Sequence, residues 1–252
     1  MPYPFKDIPS KIYPNTFLKD VTLSICYVGE PNDKEIKESK EFFLEKFNLT
    51  DLKKNGEGKI PVSSEDGIIR FLFGASSVEV RIKYPGYRSF AQILEWIDIM
   101  TQYLQIQVCE GMSSVTISKF NELRYELNHD ANADMRRIMS QVFSQELLTY
   151  HESSDLQDSE NLEGLSRWER RIVMSDEGTH SKISLDYGFF RDEKIQESPV
   201  KRGKLTLKSE INFEEENVMA TGFKTVVLNK YNKILDNAFH WCMTPNIIKA
   251  MG

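Results

Sequence analysis

The chain has little of what would staple, ligate or activate a protein. Its 252 residues hold three cysteines, Cys26, Cys109 and Cys242, far apart and never in a C-x-x-C spacing. Neither a disulfide framework nor a thiolate metal site is implied. Each cysteine lies among apolar neighbours and reads as a buried free thiol, which suits a reducing cytoplasm. The four histidines, His129, His151, His180 and His240, include no pair at the i, i+3 or i, i+4 spacing of a helical metal site. No metal is expected. Phosphate cradles are missing too. The nearest glycine cluster, Gly56-Glu57-Gly58, carries an acid that would repel a phosphate. A G-x-S-x-G nucleophile elbow is absent. Nuclease-like acid pairs fail on context. Glu35-Ile36-Lys37 falls on an expected helix, and Glu79-Val80-Arg81-Ile82-Lys83 has the wrong spacing for a magnesium motif. The sequence therefore assigns no catalytic residue and no cofactor.

Long apolar runs are also lacking. No stretch approaches the roughly 18 continuous apolar residues that a membrane-spanning helix needs. The amino-terminal Met1-Pro2-Tyr3-Pro4-Phe5-Lys6 is not a signal peptide. A cytoplasmic, soluble protein with no membrane partner is the expectation. Net charge is −6, which opposes general affinity for a phosphate backbone and leaves only a local basic groove for nucleic acid.

What is present is strand-and-helix patterning. After an extended, proline-rich start, Val21 to Val28 is β-prone. Asn32 and Glu35 have capping-box spacing for a helix carrying Ile36, Phe43 and Phe47. Ile68–Phe73 and the alternating Val78–Tyr84 form a hairpin around Gly74-Ala75-Ser76-Ser77. Ser89 and Gln92 open a second helix whose buried stripe runs from Phe90 through Ile93, Leu94 and Ile97 to Leu104. A strand spans Ser114 to Leu127, and a short helix carries Met135, Ile138, Met139 and Val142. The acidic stretch His151–Leu165 holds five acids and no base, the composition of a mobile, solvated loop. Trp168–Met174 and Ser181–Phe190 make a second hairpin turning at Ser175-Asp176-Glu177-Gly178. Lys204–Phe213 alternates again. A long helix covers Lys224–Met243, and Thr244-Pro245 reads as an N-cap and first residue of a terminal turn. Strand runs closed by helices, occurring twice, imply an α+β fold: antiparallel sheets with helices packed on one face. The expectation is one domain over 1–252, with two loosely similar lobes, about 1–130 and about 131–252.

Four segments carry a family likeness. They are Tyr13-Pro14-Asn15-Thr16-Phe17-Leu18-Lys19-Asp20-Val21, the strand Phe120–Asn128 with its Arg124-Tyr125 pair before Asn128, Ile183-Ser184-Leu185-Asp186-Tyr187, and the closing helix Leu235–Thr244 with its Phe239-x-x-x-Met243-Thr244 ending. Together they resemble a sporadically distributed family of uncharacterised prokaryotic proteins of about this length. Asn121-Glu122 stands where that family has a glycine-centred pair, and Met243 where it has isoleucine. The resemblance supplies no catalytic residues. Its sporadic distribution implies a mobile antiviral defence or toxin-control system.

One local cluster stands out. Arg167-Trp168-Glu169-Arg170-Arg171 follows directly on the acidic stretch, and arginine and tryptophan dominate interface hot spots and stack on bases. Arg167, Trp168, Arg170 and Arg171 are the candidate partner-binding residues, against an edge strand whose arginines pair with the acidic stretch His151–Leu165. The functional expectation is a non-catalytic binding or interaction protein with a protein partner, a component of a mobile prokaryotic defence or toxin-control system. The alternatives are a hydrolase or nuclease assembled from dispersed residues, and a nucleic-acid-binding subunit of a larger effector.

Overall fold

Strict alternation along the strands sorts apolar side chains to one face and polar ones to the other. The structure, a computed structural model, describes residues 2–9, 11, 13, 14, 16–26, 34, 37, 41, 44, 45, 49–51, 60–74, 77–103, 112–128, 135–150, 165–191, 200–216 and 223–252. Its elements run β1 (Leu18–Cys26), β2 (Leu49–Asp51), β3 (Ile60–Ser64), β4 (Ile69–Gly74), β5 (Ser77–Lys83), α1 (Phe90–Tyr103), β6 (Met112–Asn128), α2 (Met135–Val142) and α3 (Gln145–Thr149), then β7 (Arg167–Asp176), β8 (Ser181–Arg191), β9 (Val200–Glu216), α4 (Phe223–Cys242) and α5 (Pro245–Ala250). Among the described residues, nine strands form one antiparallel sheet in the order β2-β3-β4-β5-β1-β6-β9-β8-β7. The α+β architecture is the one the patterning implies, but the two strand runs share a single sheet. The join is the β6–β9 pair, which zips from Met112 opposite Glu216 to Asn128 opposite Val200.

The inner face collects Val21, Leu23 and Ile25 of β1, Val78, Val80 and Ile82 of β5, and Ile183, Leu185, Tyr187 and Phe189 of β8, all essentially inaccessible. Helix α4 lies over this face, burying Leu228, Tyr231, Leu235, Ala238 and Cys242 at helical spacing. Tyr231 stacks on Phe213 of β9 with 3.5 Å between ring centroids, and its hydroxyl reaches the Thr179 carbonyl at 2.9 Å and the Glu215 carboxylate at 3.1 Å. The ends of α2 and α4 meet through a lone antiparallel bridge between Phe143 and Met243.

The outer face is laced with ion pairs. Arg81 holds Asp20 at 2.8 Å, Lys208 holds Glu210 at 2.7 Å, Arg202 holds Glu126 at 2.9 Å, and Glu122 takes both Arg124 and Lys204 at 3.2 Å. Burial pushes the Glu122 carboxyl up, but those two cations outweigh it and hold it below the ordinary carboxylate range. Such pairs contribute about 0–1 kcal/mol each where exposed.

Several local expectations shift. β1 begins earlier, at Leu18, and Tyr27 and Val28 lie outside the described residues; Cys26 falls on the outward side of the alternation and is exposed, so only Cys242 is a buried thiol among the described cysteines. The second hairpin turns two residues later than expected, over 177–180, where His180 takes a left-handed φ of 46°. Asp176 organises that turn, accepting from the Gly178 N–H and the Thr179 hydroxyl. β2 and β3 were not legible as strands. Of the helix expected after Asn32, the described residues Lys34, Lys37, Glu41, Leu44 and Glu45 are helical. The rest of that helix, the acidic stretch 151–164, Cys109, His129 and His151 lie outside the described residues.

Candidate functional site

A lysine on an inward strand position marks the site. In β6 the inner face reads Val115, Ile117, Lys119, Asn121, so the apolar alternation is interrupted by a cation and an amide in mid-sheet. Lys119 is 8% exposed and Asn121 5%. A buried ammonium without a counter-charge is costly, and α4 supplies one: Lys119 Nζ donates to Asp236 Oδ1 at 2.5 Å. Asn232, one turn earlier on α4, donates to the other carboxylate oxygen at 3.3 Å.

This pair lines a cavity of about 640 Å³ between the sheet, α4, the β5–α1 turn and the amino-terminal arm. The arm, described at residues 2–9, 11, 13, 14, 16 and 17, is not a regular element there. It is held to α4 by side chains: Phe5 packs on Trp241, the Asn237 carboxamide accepts from the Ile8 N–H at 3.3 Å, Lys233 reaches Asp7 at 3.4 Å, and Tyr13 shares a 2.8 Å hydrogen bond with His240 Nε2. Burial lowers the His240 pKa below the usual histidine value, so the ring is neutral near pH 7. Burial raises Tyr13 and Tyr87, and the Asp236 charge adds to both shifts. The opposite wall is the turn from Tyr84 to Phe90. There Gly86 packs so closely that a Cβ would collide with Ile68 Cγ2. The capping-box glutamine works one residue out of register: Gln92 Oε1 accepts from the Arg88 N–H at 3.1 Å.

The Arg/Trp cluster lies elsewhere, on β7, and the strand's pleat splits it. Arg167 and Arg171 face outward, while Trp168 and Arg170 face inward. Trp168 is half-buried, stacked 6.4 Å from Phe189 and edge-on to Tyr187 at 5.7 Å. Arg170 donates to the Tyr150 carbonyl at 3.3 Å. Arg171 grips Asp186 of the neighbouring strand through two bonds, 2.5 and 2.8 Å long. Arg167 pairs with Glu169 and lies over the Phe190 ring at 5.0 Å. The four residues do not form one continuous surface.

Sequence reasoning passed over Lys119, Asp236, Tyr13 and His240. The signal for Lys119 and Asn121 was available, as the two polar intruders on an otherwise apolar strand face. Asp236 and His240 carried none, since an acid and a histidine are ordinary on a half-exposed helix. Three of the four segments that carry the family likeness contribute to this cavity, through Tyr13, Asn121 and Asp236–His240. The fourth sits in the β8 core. Compared with known proteins, the sequence matches no family model, and a search of curated proteins finds no match.

Among the described residues no group of three or more histidine, cysteine or acidic side chains is placed to hold a metal ion, and no helix is long and apolar enough to cross a membrane.

Proposed function

We propose that this chain is a binding protein whose ligand occupies the cavity between its amino-terminal arm and α4. The observation that carries this reading is the Lys119–Asp236 pair, its lysine buried and its carboxylate partly exposed, opening on a half-open, largely apolar space. Ligand sites of about 300–1,000 Å³ combine apolar walls with a few placed polar groups, and this one has that make-up. The groups that could do chemistry are already committed. The lysine is held by its carboxylate, the histidine by Tyr13, and burial pushes the tyrosines and the Cys242 thiol away from reactive ionisation. Binding without turnover is the use that fits them. A place in a prokaryotic defence or toxin-control system, with the cavity sensing a small molecule, accords with the family likeness.

Native mass spectrometry of protein isolated without denaturation tests the reading. The expected result is a bound small molecule that leaves chemically unchanged and is missing from a Ser89→Trp variant, whose indole intrudes into the cavity from its lining. Protein that carries nothing and is stabilised by no member of a metabolite panel would refute it.

A further inference from the structure

The cavity's charge runs opposite to that of the protein. The whole chain carries −6, yet the cavity is lined by three cations, Lys11, Arg88 and Lys119, against one carboxylate, Asp236. Asp236 is spent on Lys119. Among the described residues no carboxylate pairs with Lys11 or Arg88. Lys11 Nζ lies over the Tyr13 ring at 5.1 Å, and the Arg88 backbone is fixed by Gln92. α1 starts on the same wall at Phe90 with no acid in its first turn to offset its positive end. Aromatic rings line the cavity from three sides: Tyr13 on the arm, Tyr84, Tyr87 and Phe90 on the turn, and Phe239 on α4. Two cations with no carboxylate partner among the described residues thus stand at the mouth of a ring-lined space, a local excess of positive charge on a chain whose net charge is −6.

The geometry points to a flat, apolar ligand bearing an anionic group, its rings against the tyrosine and phenylalanine walls and its negative charge drawn to Arg88 and Lys11. This rests on the binding reading above and adds the chemical class. A sulfonate, carboxylate or phosphate would serve as the anion. Guanidinium recognises all three through the same forked donors.

The test uses two probes that share one ring system. 8-Anilinonaphthalene-1-sulfonate carries the anion, and its uncharged parent, N-phenyl-1-naphthylamine, does not. Fluorescence titration of the full chain should show the sulfonate binding about tenfold or more tightly than the parent, a difference of about 1.4 kcal/mol. Raising ionic strength from about 0.02 M to about 0.5 M should erase most of that preference and leave the parent unchanged. An Arg88→Gln/Lys11→Gln variant should lose the preference while holding the parent's Kd within about twofold; both side chains are exposed, and an unchanged Tm verifies folding. Equal binding of the two probes would overturn the anionic class and leave the cavity reading standing. Binding of neither probe, or binding that Ser89→Trp leaves intact, would overturn both.

Discussion

Ser144 and Thr244 mirror each other across the Phe143–Met243 bridge. The Ser144 hydroxyl donates to the Trp241 carbonyl at 2.6 Å, and the Thr244 hydroxyl donates to the Gln141 carbonyl at 2.8 Å. Their backbones repeat the exchange, Ser144 N–H to the Cys242 carbonyl and Thr244 N–H to the Val142 carbonyl. Each residue follows one helix and precedes a shorter one, so the last turn of each preceding helix has free carbonyls satisfied by the residue that follows the other. Local sequence marks Thr244 as an N-cap, yet it makes no side-chain cap bond. Its hydroxyl is used for the partner helix instead.

Ser144→Ala should destabilise more than Thr244→Val. The buried Ser144 oxygen also accepts from the Leu147 N–H at 3.1 Å, so its loss removes a cap and orphans a carbonyl, a cost of about 1–3 kcal/mol. The exposed Thr244 bond should contribute about 0.5–1.5 kcal/mol. Urea unfolding of both single variants and the double variant checks this, and additive effects would show that the two halves of the bridge are independent.

Removing one member of the Lys119–Asp236 pair should hurt more than removing both. Asp236→Asn leaves an ammonium buried against the sheet, and breaking a buried pair this way costs up to about 3–5 kcal/mol. The partial exposure of Asp236 places the expected loss at the lower end. Lys119→Met with Asp236→Leu should recover most of it. A double variant no more stable than Asp236→Asn alone would show that the site is not limited by the uncompensated charge.

Stability should fall as pH drops through the histidine range, because of His240. Its folded pKa is depressed by burial, with Lys233 and Lys11 acting in the same direction and Asp236 against them. The unfolded chain takes up the proton at about pH 6.5 while the folded chain resists it. The stabilisation is therefore whole above about pH 6.5 and drains away as pH falls toward the folded value. His240→Gln should show a shallower decline in Tm between about pH 7.5 and 5.5. Parallel curves for the two proteins would remove His240 from the account.

The β7 arginines should separate in mutagenesis. Arg171→Ala breaks only an exposed pair with Asp186 and should cost no more than about 1 kcal/mol. Arg170→Ala abandons the Tyr150 carbonyl on the inner side of the strand and should cost more. If a partner binds the outer face, Arg167→Ala/Arg171→Ala should abolish its binding with Tm nearly unchanged. Full binding by a folded double variant would retire the cluster as an interface.

Cutting the chain between β6 and α2 should give fragments that do not melt cooperatively alone. Each fragment would keep one strand of the β6–β9 pair with its edge bare. Co-expression should restore a folded complex, whereas cooperative melting of either fragment by itself would reveal a domain boundary.

Period-two alternation made most of the sheet legible, because Val78–Tyr84, Ser181–Phe190 and Lys204–Phe213 each bury one face. β2 and β3 escaped because Leu49–Asp51 is three residues long and Pro61 interrupts the second. The union of the strands in one sheet was hidden because pairing partners leave no local trace. The cavity was hidden for the same reason. Its walls come from the arm, the central strand and the last long helix, and only folding makes neighbours of Tyr13, Lys119 and His240.

The β6–β9 seam also sets a schedule for synthesis. Phe120 must wait for Lys208, close to ninety residues later along the chain. At about 5–20 residues per second, that interval is on the order of ten seconds on the ribosome. Throughout it the nascent amino-terminal half offers the open edge of β6, the edge that β9 later covers, to any other nascent chain, so the protein's yield should depend on chaperone occupancy and translation speed more than its finished stability would suggest.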